Sequence, residues 1–125
     1  MNLLLDTHVV LWWYENPKNL SQTARKEIGD TANEIYISSV FFWECTIKSM
    51  MGKLVLPEDF LQRTSIDFSE LAITSRHACG IRDLPLIHND PFDRLLMAQA
   101  KIENFSLVTR DKEILKYPDI KILKA

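Results

Sequence analysis

The opening stretch, MNLLLDTHVVLWW, constrains the fold more than any other part of the chain. The apolar run of Leu3, Leu4 and Leu5 shows no polar alternation and stops at Asp6, as expected of a strand that is buried on both faces. Strands of this kind belong to parallel sheets that are covered by helices. A carboxylate that follows such a strand lies where open α/β sheets bind their ligands, although it can also simply cap the next helix.

The composition describes one globular domain, residues 1–125, with a core of ordinary size. The net charge of −2 gives no overall basic field of the kind that attracts nucleic acid. Cys45 and Cys79 are too few for a disulfide framework, so we expect two buried free thiols in a reducing compartment. Because the chain has no secretion signal and no apolar run of about 18 residues, we expect a cytoplasmic protein that does not enter a membrane.

Segments typical of strands and helices alternate along the chain. We predict helices over residues 7–16, 21–29, 39–51, 57–68 and 91–104, with a further short helix that begins at Ser75. After the N-terminal strand, we predict strands over residues 35–38, 71–73, 105–109 and 120–123. This alternation predicts an α/β fold with a mostly parallel sheet.

Two of these helices carry an acid on the face that is expected to point inward. Glu44 lies within the apolar stripe that is formed by Val40, Ile47 and Met51. Asp93 lies about one turn before Leu96 on the inward stripe of the last helix. A carboxylate in such a position is costly unless a positive group meets it.

The topology of a parallel sheet brings four acids together. Asp6 and Asp111 each follow a strand, and we expect Glu44 and Asp93 in the first turns of helices that begin at the same edge. Two unit charges 4 Å apart repel by about 4 kcal/mol at an effective dielectric constant of about 20. A hard divalent cation relieves this repulsion and leaves open positions for water and phosphate. The pattern therefore predicts a metal-dependent phosphodiesterase.

Each acid also has a simpler explanation when it is considered alone. Asp6 and Asp111 can be helix caps, and Glu44 can form an ion pair with Lys48 one turn later. Asp93 can merely favour the positive end of a helix dipole. One shared site accounts for all four acids together, which four separate explanations do not.

The ordered motifs of this chain resemble those of PIN-domain nucleases, and specifically the toxin component of VapBC-type toxin–antitoxin systems. The residues that carry the resemblance are Leu4-Leu5-Asp6-Thr7-His8, Ser39-Val40 with Trp43-Glu44, the run HNDPFDRLLMAQA over 88–100, and Leu107-Val108-Thr109-Arg110-Asp111. The resemblance covers essentially the whole chain. It implies a compact three-layer α/β/α sandwich, an acidic Mg²⁺ or Mn²⁺ site and ribonuclease activity. It also implies a homodimer and neutralisation by a small antitoxin protein.

The resemblance implies a site made by Asp6, Glu44, Asp93 and Asp111, with Asp6 and Asp93 as direct metal ligands. Glu44 and Asp111 complete the site, either directly or through water. The chain departs from the family pattern at the third acid. Many family members have this acid three residues before an Ile-Ala pair, whereas Asp93 lies four residues before Met97-Ala98. Asp90 is therefore an alternative ligand, although it is also well placed to cap the helix at the following proline.

Several polar residues adjoin these acids in the sequence. Thr7, Ser39 and Thr109 can donate hydrogen bonds to the carboxylates, or they can serve in turns and caps. Arg94 and Arg110 can hold phosphate groups, or they can form surface salt bridges that contribute little stability.

Two aromatic clusters, residues 12–14 and residues 41–43, carry more apolar surface than one helix face buries. We expect most of this surface in the core and interpret the remainder as an interface for a second copy or an antitoxin helix.

Other enzyme classes fit the sequence less well. Aspartate-nucleophile phosphatases need a second Asp two positions after the first, where this chain has His8. Receiver-like phosphoacceptor domains need a Lys where Arg110 stands. Two alternatives to a toxin stay open, namely a stand-alone RNA-processing PIN nuclease and a non-catalytic domain that binds Mg²⁺.

Overall fold

The computed structural model describes all residues from 1 to 125. Its centre is a five-stranded parallel sheet with the strand order β3-β2-β1-β4-β5. The strands are β1 (Asn2–Leu5), β2 (Glu34–Ser38), β3 (Ser69–Leu71), β4 (Ser106–Thr109) and β5 (Ile122–Lys124). The helices are α1 (Thr7–Glu15), α2 (Gln22–Gly29), α3 (Ser39–Met50), α4 (Phe60–Asp67), α5 (Ser75–Gly80) and α6 (Pro91–Glu103). This architecture confirms the predicted α/β fold.

The central strand β1 separates the two halves of the core. All three leucines of β1 are fully buried, as the uninterrupted apolar run predicts. Leu3 and Leu5 pack against α1, α2 and α3 on one face of the sheet, whereas Leu4 packs against α6 on the other. Successive side chains of a strand point to opposite faces, so β1 contributes to both layers of helices. The molecule is therefore a three-layer α/β/α sandwich.

Three predicted element boundaries are wrong. The edge strand β3 pairs through Ser69 to Leu71 rather than through residues 71–73, and β5 begins two residues and ends one residue later than predicted. Helix α4 begins at Phe60 rather than at Pro57, because residues 57–60 form a turn that is closed by a backbone hydrogen bond of 3.1 Å. Strands β3 and β5 are short edge strands, and pairing with a neighbouring strand rather than hydropathy decides their register. Met51 was expected inside but is exposed at the end of α3.

The aromatic clusters are mostly packed, as expected. Phe41 is buried, and the side chains at positions 12, 13, 14 and 42 are half-buried. Trp43 is the exception because it is 53% exposed and meets Phe92 edge-on, with ring centroids 5.0 Å apart. No helix in the structure is both long and apolar enough to cross a bilayer.

The two cysteines differ, and the expectation that both are buried is wrong for Cys79. Cys45 is buried in the core, whereas Cys79 is exposed on α5. Burial, with a smaller effect from the Glu44 charge, raises the pKa of the Cys45 thiol to about 12. We therefore expect one equivalent of a thiol reagent such as DTNB to react in the native protein and two after unfolding, since the thiolate is the reactive form. Cys79→Ser should abolish the native reaction, and rapid loss of both thiols without unfolding would contradict this assignment.

Candidate metal centre

Asp6 lies at the carboxyl end of β1 and serves as the N-cap of α1. Its Oδ1 accepts a hydrogen bond of 2.6 Å from the Thr7 amide, and its Oδ2 accepts one of 2.7 Å from the Thr109 hydroxyl. The residue is only 5% exposed, and this burial raises the pKa of its carboxyl above the ordinary value. The negative charge of Asp111 acts in the same direction. Asp6 is thus both a cap and a buried acid that faces another acid.

Glu44 is buried in the second turn of α3 rather than in the first turn, where we expected it. Its Oε1 accepts a hydrogen bond of 2.7 Å from the Thr7 hydroxyl. Its Oε2 forms an ion pair of 2.8 Å with Lys48, which is the alternative that the sequence left open. Thr7 therefore joins two acids, because its amide contacts Asp6 and its hydroxyl contacts Glu44.

The structure distinguishes Asp93 from Asp90. Oδ1 of Asp90 accepts hydrogen bonds from the Phe92 amide at 2.9 Å and the Asp93 amide at 3.1 Å, so Asp90 is the N-cap of α6. Asp93 lies in the first turn and faces the site, where its Oδ2 is 2.7 Å from Nε2 of His88. Burial, assisted by the negative charge of Asp6, raises the pKa of the Asp93 carboxyl to about 7.

Asp111 follows β4 and completes the group at the same edge of the sheet. Its Oδ1 accepts hydrogen bonds from the amides of Glu113 at 2.8 Å and Ile114 at 3.4 Å, so the carboxylate also caps a 3₁₀ turn. Ligand atoms of Asp111, Asp93 and His88 all lie within 4.8 Å of one another. The fold thus brings together acids from four distant parts of the chain.

The donor set fits a hard divalent cation. Carboxylate oxygens are the ligands that Mg²⁺ and Mn²⁺ prefer, and imidazole nitrogen is also a ligand for first-row transition metals. The raised pKa values of Asp6 and Asp93 have the cause expected when carboxylates are buried together without a counter-charge. Lys48 compensates Glu44, whereas no Lys or Arg forms an ion pair with Asp6, Asp93 or Asp111. A cation therefore has a clear electrostatic role at these three acids.

The structure gives both arginines backbone partners. Arg94 is buried and donates hydrogen bonds to the backbone carbonyls of Ile81, Leu84, Pro85 and His88. Arg110 stacks over the ring of Trp12 at 4.5 Å and donates to the carbonyl of Ala125. The Arg94 guanidinium is not free to hold a phosphate group, whereas Arg110 is exposed, and neither arginine forms a salt bridge. Both arginines instead fix backbone segments.

The hydroxyl groups of Thr7, Ser39 and Thr109 have different hydrogen-bond partners. Thr7 and Thr109 donate hydrogen bonds to site carboxylates, as the sequence suggested. Ser39 instead donates to Glu70 at 3.1 Å, away from the acids. The N-cap of α3 is Ser38, whose hydroxyl accepts a hydrogen bond of 3.0 Å from the Val40 amide.

Sequence reasoning assigned no role to two residues that support the site. His88 contacts Asp93 from the loop before α6. Gln99 is fully buried in α6, where its side chain contacts the hydroxyl of Ser38 at the start of α3. This contact fixes the two helices that carry Glu44 and Asp93 relative to each other. An amide on the inward stripe of α6 is the signal that could have identified Gln99, because a buried amide needs polar partners.

The raised pKa of Asp93 predicts a pH-dependent stability for the metal-free protein. Because burial raises the pKa from 3.8 to about 7, the folded state retains a proton that the unfolded chain releases. The contribution of Asp93 to the free energy of unfolding should therefore be most favourable below pH 3.8 and should decline as the pH rises to about 7. We expect Asp93→Asn in EDTA to raise the midpoint of thermal unfolding at pH 8 by roughly 4–8 °C, or about 1–2 kcal/mol.

Thermal unfolding at pH 5 and pH 8 tests this expectation. The exposed residue Asp119 supplies a matched control, because Asp119→Asn should change the midpoint little at either pH. The charged groups that face Asp93 are Asp6, Asp90 and His88. An equal gain from Asp93→Asn at both pH values would contradict a charge effect.

These features define a class of protein, namely an α/β/α domain with an acidic cluster at the carboxyl edge of a parallel sheet. The chain matches the PIN domain family over residues 3–120, and it belongs to this family. It is 30% identical over 116 residues to Ribonuclease VapC22 of Mycobacterium tuberculosis, covering 90% of this chain and 88% of that protein. The family expected from the sequence is confirmed.

Solved structures show the same fold. The chain superimposes on the crystal structure of VapBC2 from Rickettsia felis bound to a promoter DNA fragment, with a TM-score of 0.75, 20% identity and coverage of 100% of this chain and 99% of that chain. It also matches DNA-bound VapBC from Salmonella typhimurium, with a TM-score of 0.74, 19% identity and coverage of 99% and 98%. At these identities the similarity establishes the architecture.

Proposed function

We propose that this PIN-domain chain is a metal-dependent ribonuclease that hydrolyses RNA phosphodiester bonds and acts as the toxin of a toxin–antitoxin pair. The observation that carries the proposal is the convergence of Asp6, Glu44, Asp93 and Asp111 on one edge of the sheet, where Asp6, Asp93 and Asp111 have no Lys or Arg partner. The similarity to Ribonuclease VapC22 supports RNA as the substrate class.

Each acid has a proposed role. Asp6 and Asp93 would hold the cation directly, and Asp111 would complete the ligand set from the end of the neighbouring strand β4. Glu44, which is neutralised by Lys48, holds Thr7 and through it the position of Asp6. A bound Mg²⁺ or Mn²⁺ supplies charge stabilisation for a phosphodiester displacement and makes water a stronger acid. The reaction therefore needs no nucleophilic side chain, and the site offers no Ser or Cys in that role.

We also propose that the protein works in the cytoplasm as a homodimer and is neutralised by a small antitoxin. The support for an antitoxin is that the structurally similar proteins from Rickettsia felis and Salmonella typhimurium are VapBC complexes. An antitoxin gene beside this one would favour a toxin, and its absence would favour a stand-alone RNA-processing nuclease. Light scattering after gel filtration, with and without the neighbouring gene product, measures both associations.

The test is cleavage of a total-RNA pool by the purified protein with Mg²⁺, with Mn²⁺ and with EDTA. We expect cutting with either cation, none with EDTA, and a loss of at least about 1,000-fold in Asp6→Asn, because a metal contributes several kcal/mol of charge stabilisation. Asp119→Asn removes an exposed carboxylate and should cut like the wild type. Failure of the folded wild-type protein to cut with any divalent cation would favour a non-catalytic domain that binds Mg²⁺.

A further inference from the structure

His88 is the first residue of the run over 88–100 and lies beside the acids, but the sequence alone assigns it no role. Its Nε2 is 2.7 Å from Oδ2 of Asp93, and its side chain is largely shielded from solvent. It is also part of the one group of His, Cys, Asp and Glu side chains whose ligand atoms lie within 4.8 Å of one another. We infer that His88 is a nitrogen ligand of the catalytic cation and that the site therefore binds Mn²⁺ in preference to Mg²⁺.

The spacing of the donor atoms suits one six-coordinate ion. With bonds of about 2.1 Å, adjacent ligand atoms of an octahedron lie about 3 Å apart and opposite ones about 4.2 Å apart. The distance of 2.7 Å between Nε2 of His88 and Oδ2 of Asp93 is close to the spacing of adjacent ligands. The ligand atoms of these two residues and Asp111 all lie within 4.8 Å of one another, which also leaves room for the spacing of opposite ligands. A single ion can therefore contact all three side chains after small adjustments.

The backbone holds His88 in this position. Its amide donates a hydrogen bond of 2.8 Å to the hydroxyl of Tyr117, and its carbonyl accepts one of 3.2 Å from Arg94. The Tyr117 hydroxyl donates in turn to the carbonyl of Pro85 at 2.9 Å. A ligand whose backbone is held by partly buried hydrogen bonds contributes to a preorganised site, whereas a residue on a free loop does not.

The chemistry of the nitrogen atom sets the metal preference. Mg²⁺ is a hard cation that favours oxygen ligands, whereas Mn²⁺ and the later first-row metals accept imidazole more readily. Replacing His88 should therefore weaken Mn²⁺ binding more than Mg²⁺ binding. If His88 only donated a hydrogen bond to Asp93, its loss would weaken both ions to a similar extent. This inference rests on the metal site of the proposed function, but it concerns binding rather than cleavage.

Pulsed electron paramagnetic resonance of the Mn²⁺-loaded protein at pH 8 tests the inference directly. We expect nuclear modulation from ¹⁴N in the wild type and its replacement by a ¹⁵N pattern when only the histidines are labelled with ¹⁵N. The modulation should disappear in His88→Asn. It should persist in His8→Asn, which removes the exposed histidine of α1 as a matched control. The labelled wild type reports a histidine ligand even if His88→Asn fails to fold, and a pattern that persists in His8→Asn then excludes the histidine that lies near Asp6.

Calorimetric titration supplies the second readout. We expect His88→Asn to weaken Mn²⁺ binding by about 10- to 100-fold and Mg²⁺ binding by no more than about threefold. The inference is overturned by wild-type protein without nitrogen modulation, by modulation that survives in His88→Asn, by equal weakening of both ions, or by no binding of Mn²⁺. A nitrogen-ligated Mn²⁺ in a protein that does not cut RNA would uphold the inference and contradict the proposed function.

Discussion

Asp93→Asn is expected to reduce metal-dependent RNA cleavage by at least about 1,000-fold, which corresponds to about 4 kcal/mol of transition-state stabilisation. The amide cannot replace a charged ligand, although it has nearly the same size and shape. The Asp93 carboxyl has a pKa of about 7, so its charge at neutral pH depends on a bound cation. Initial rates on a defined RNA substrate, measured over a range of Mg²⁺ concentrations, provide the test.

Asp90→Asn is the matched control because the two residues are three positions apart on α6. Asn is as good an N-cap as Asp, so the hydrogen bonds to the amides of Phe92 and Asp93 should be kept. We expect cleavage within about threefold of the wild type, since an exposed or capping charge contributes little. A large loss in Asp90→Asn together with an active Asp93→Asn would reverse the assignment of the third acid.

Arg94→Lys is expected to destabilise the protein by about 3 kcal/mol, because it removes most of the donors that a buried guanidinium directs to a cluster of backbone carbonyls. For a domain of this size, that change lowers the midpoint of thermal unfolding by roughly 10 °C. The guanidinium contacts four backbone carbonyls and the Tyr117 hydroxyl, and one ammonium group cannot reach all of them. Calorimetry of the purified variant measures the effect.

Tyr117→Phe provides a graded comparison for this prediction. It removes one hydroxyl, which accepts from Arg94 and from the His88 amide, and leaves the guanidinium in place. We expect a smaller loss of about 1–2 kcal/mol. If Arg94→Lys instead kept its thermal stability and only raised KM for RNA, Arg94 would be a phosphate-binding residue, as the sequence first suggested.

Much of the fold follows from patterns in the sequence. The run from Leu3 to Leu5 identifies a strand that is buried on both faces, and such a strand requires helices on both sides. The convergence of the acids is also predictable, because parallel strands end at one edge of the sheet. Asp6 and Asp111 therefore become neighbours although they are far apart in the chain. Asp90 and Pro91 also mark the start of α6 correctly.

The remaining features depend on contacts that no local pattern encodes. Arg94 stands beside a site acid in the sequence, but its side chain turns to the loop over residues 81–88 because the carbonyls there need donors. His88 lies in that same loop, and its position depends on Tyr117 from another part of the chain. Cys79 is exposed because the short helix α5 has only one deeply buried side chain, that of His77. Tertiary packing decides each of these cases.

The order of strands in the sheet has a consequence for the synthesis of the protein. The central strand β1 is made first, but its neighbour β4 and the acid Asp111 are made only after residue 105. A nascent chain that lacks this segment exposes one edge of β1 and has an incomplete ligand set. We therefore expect a chain that is cut before β4 to lack a complete ligand set and to leave RNA intact.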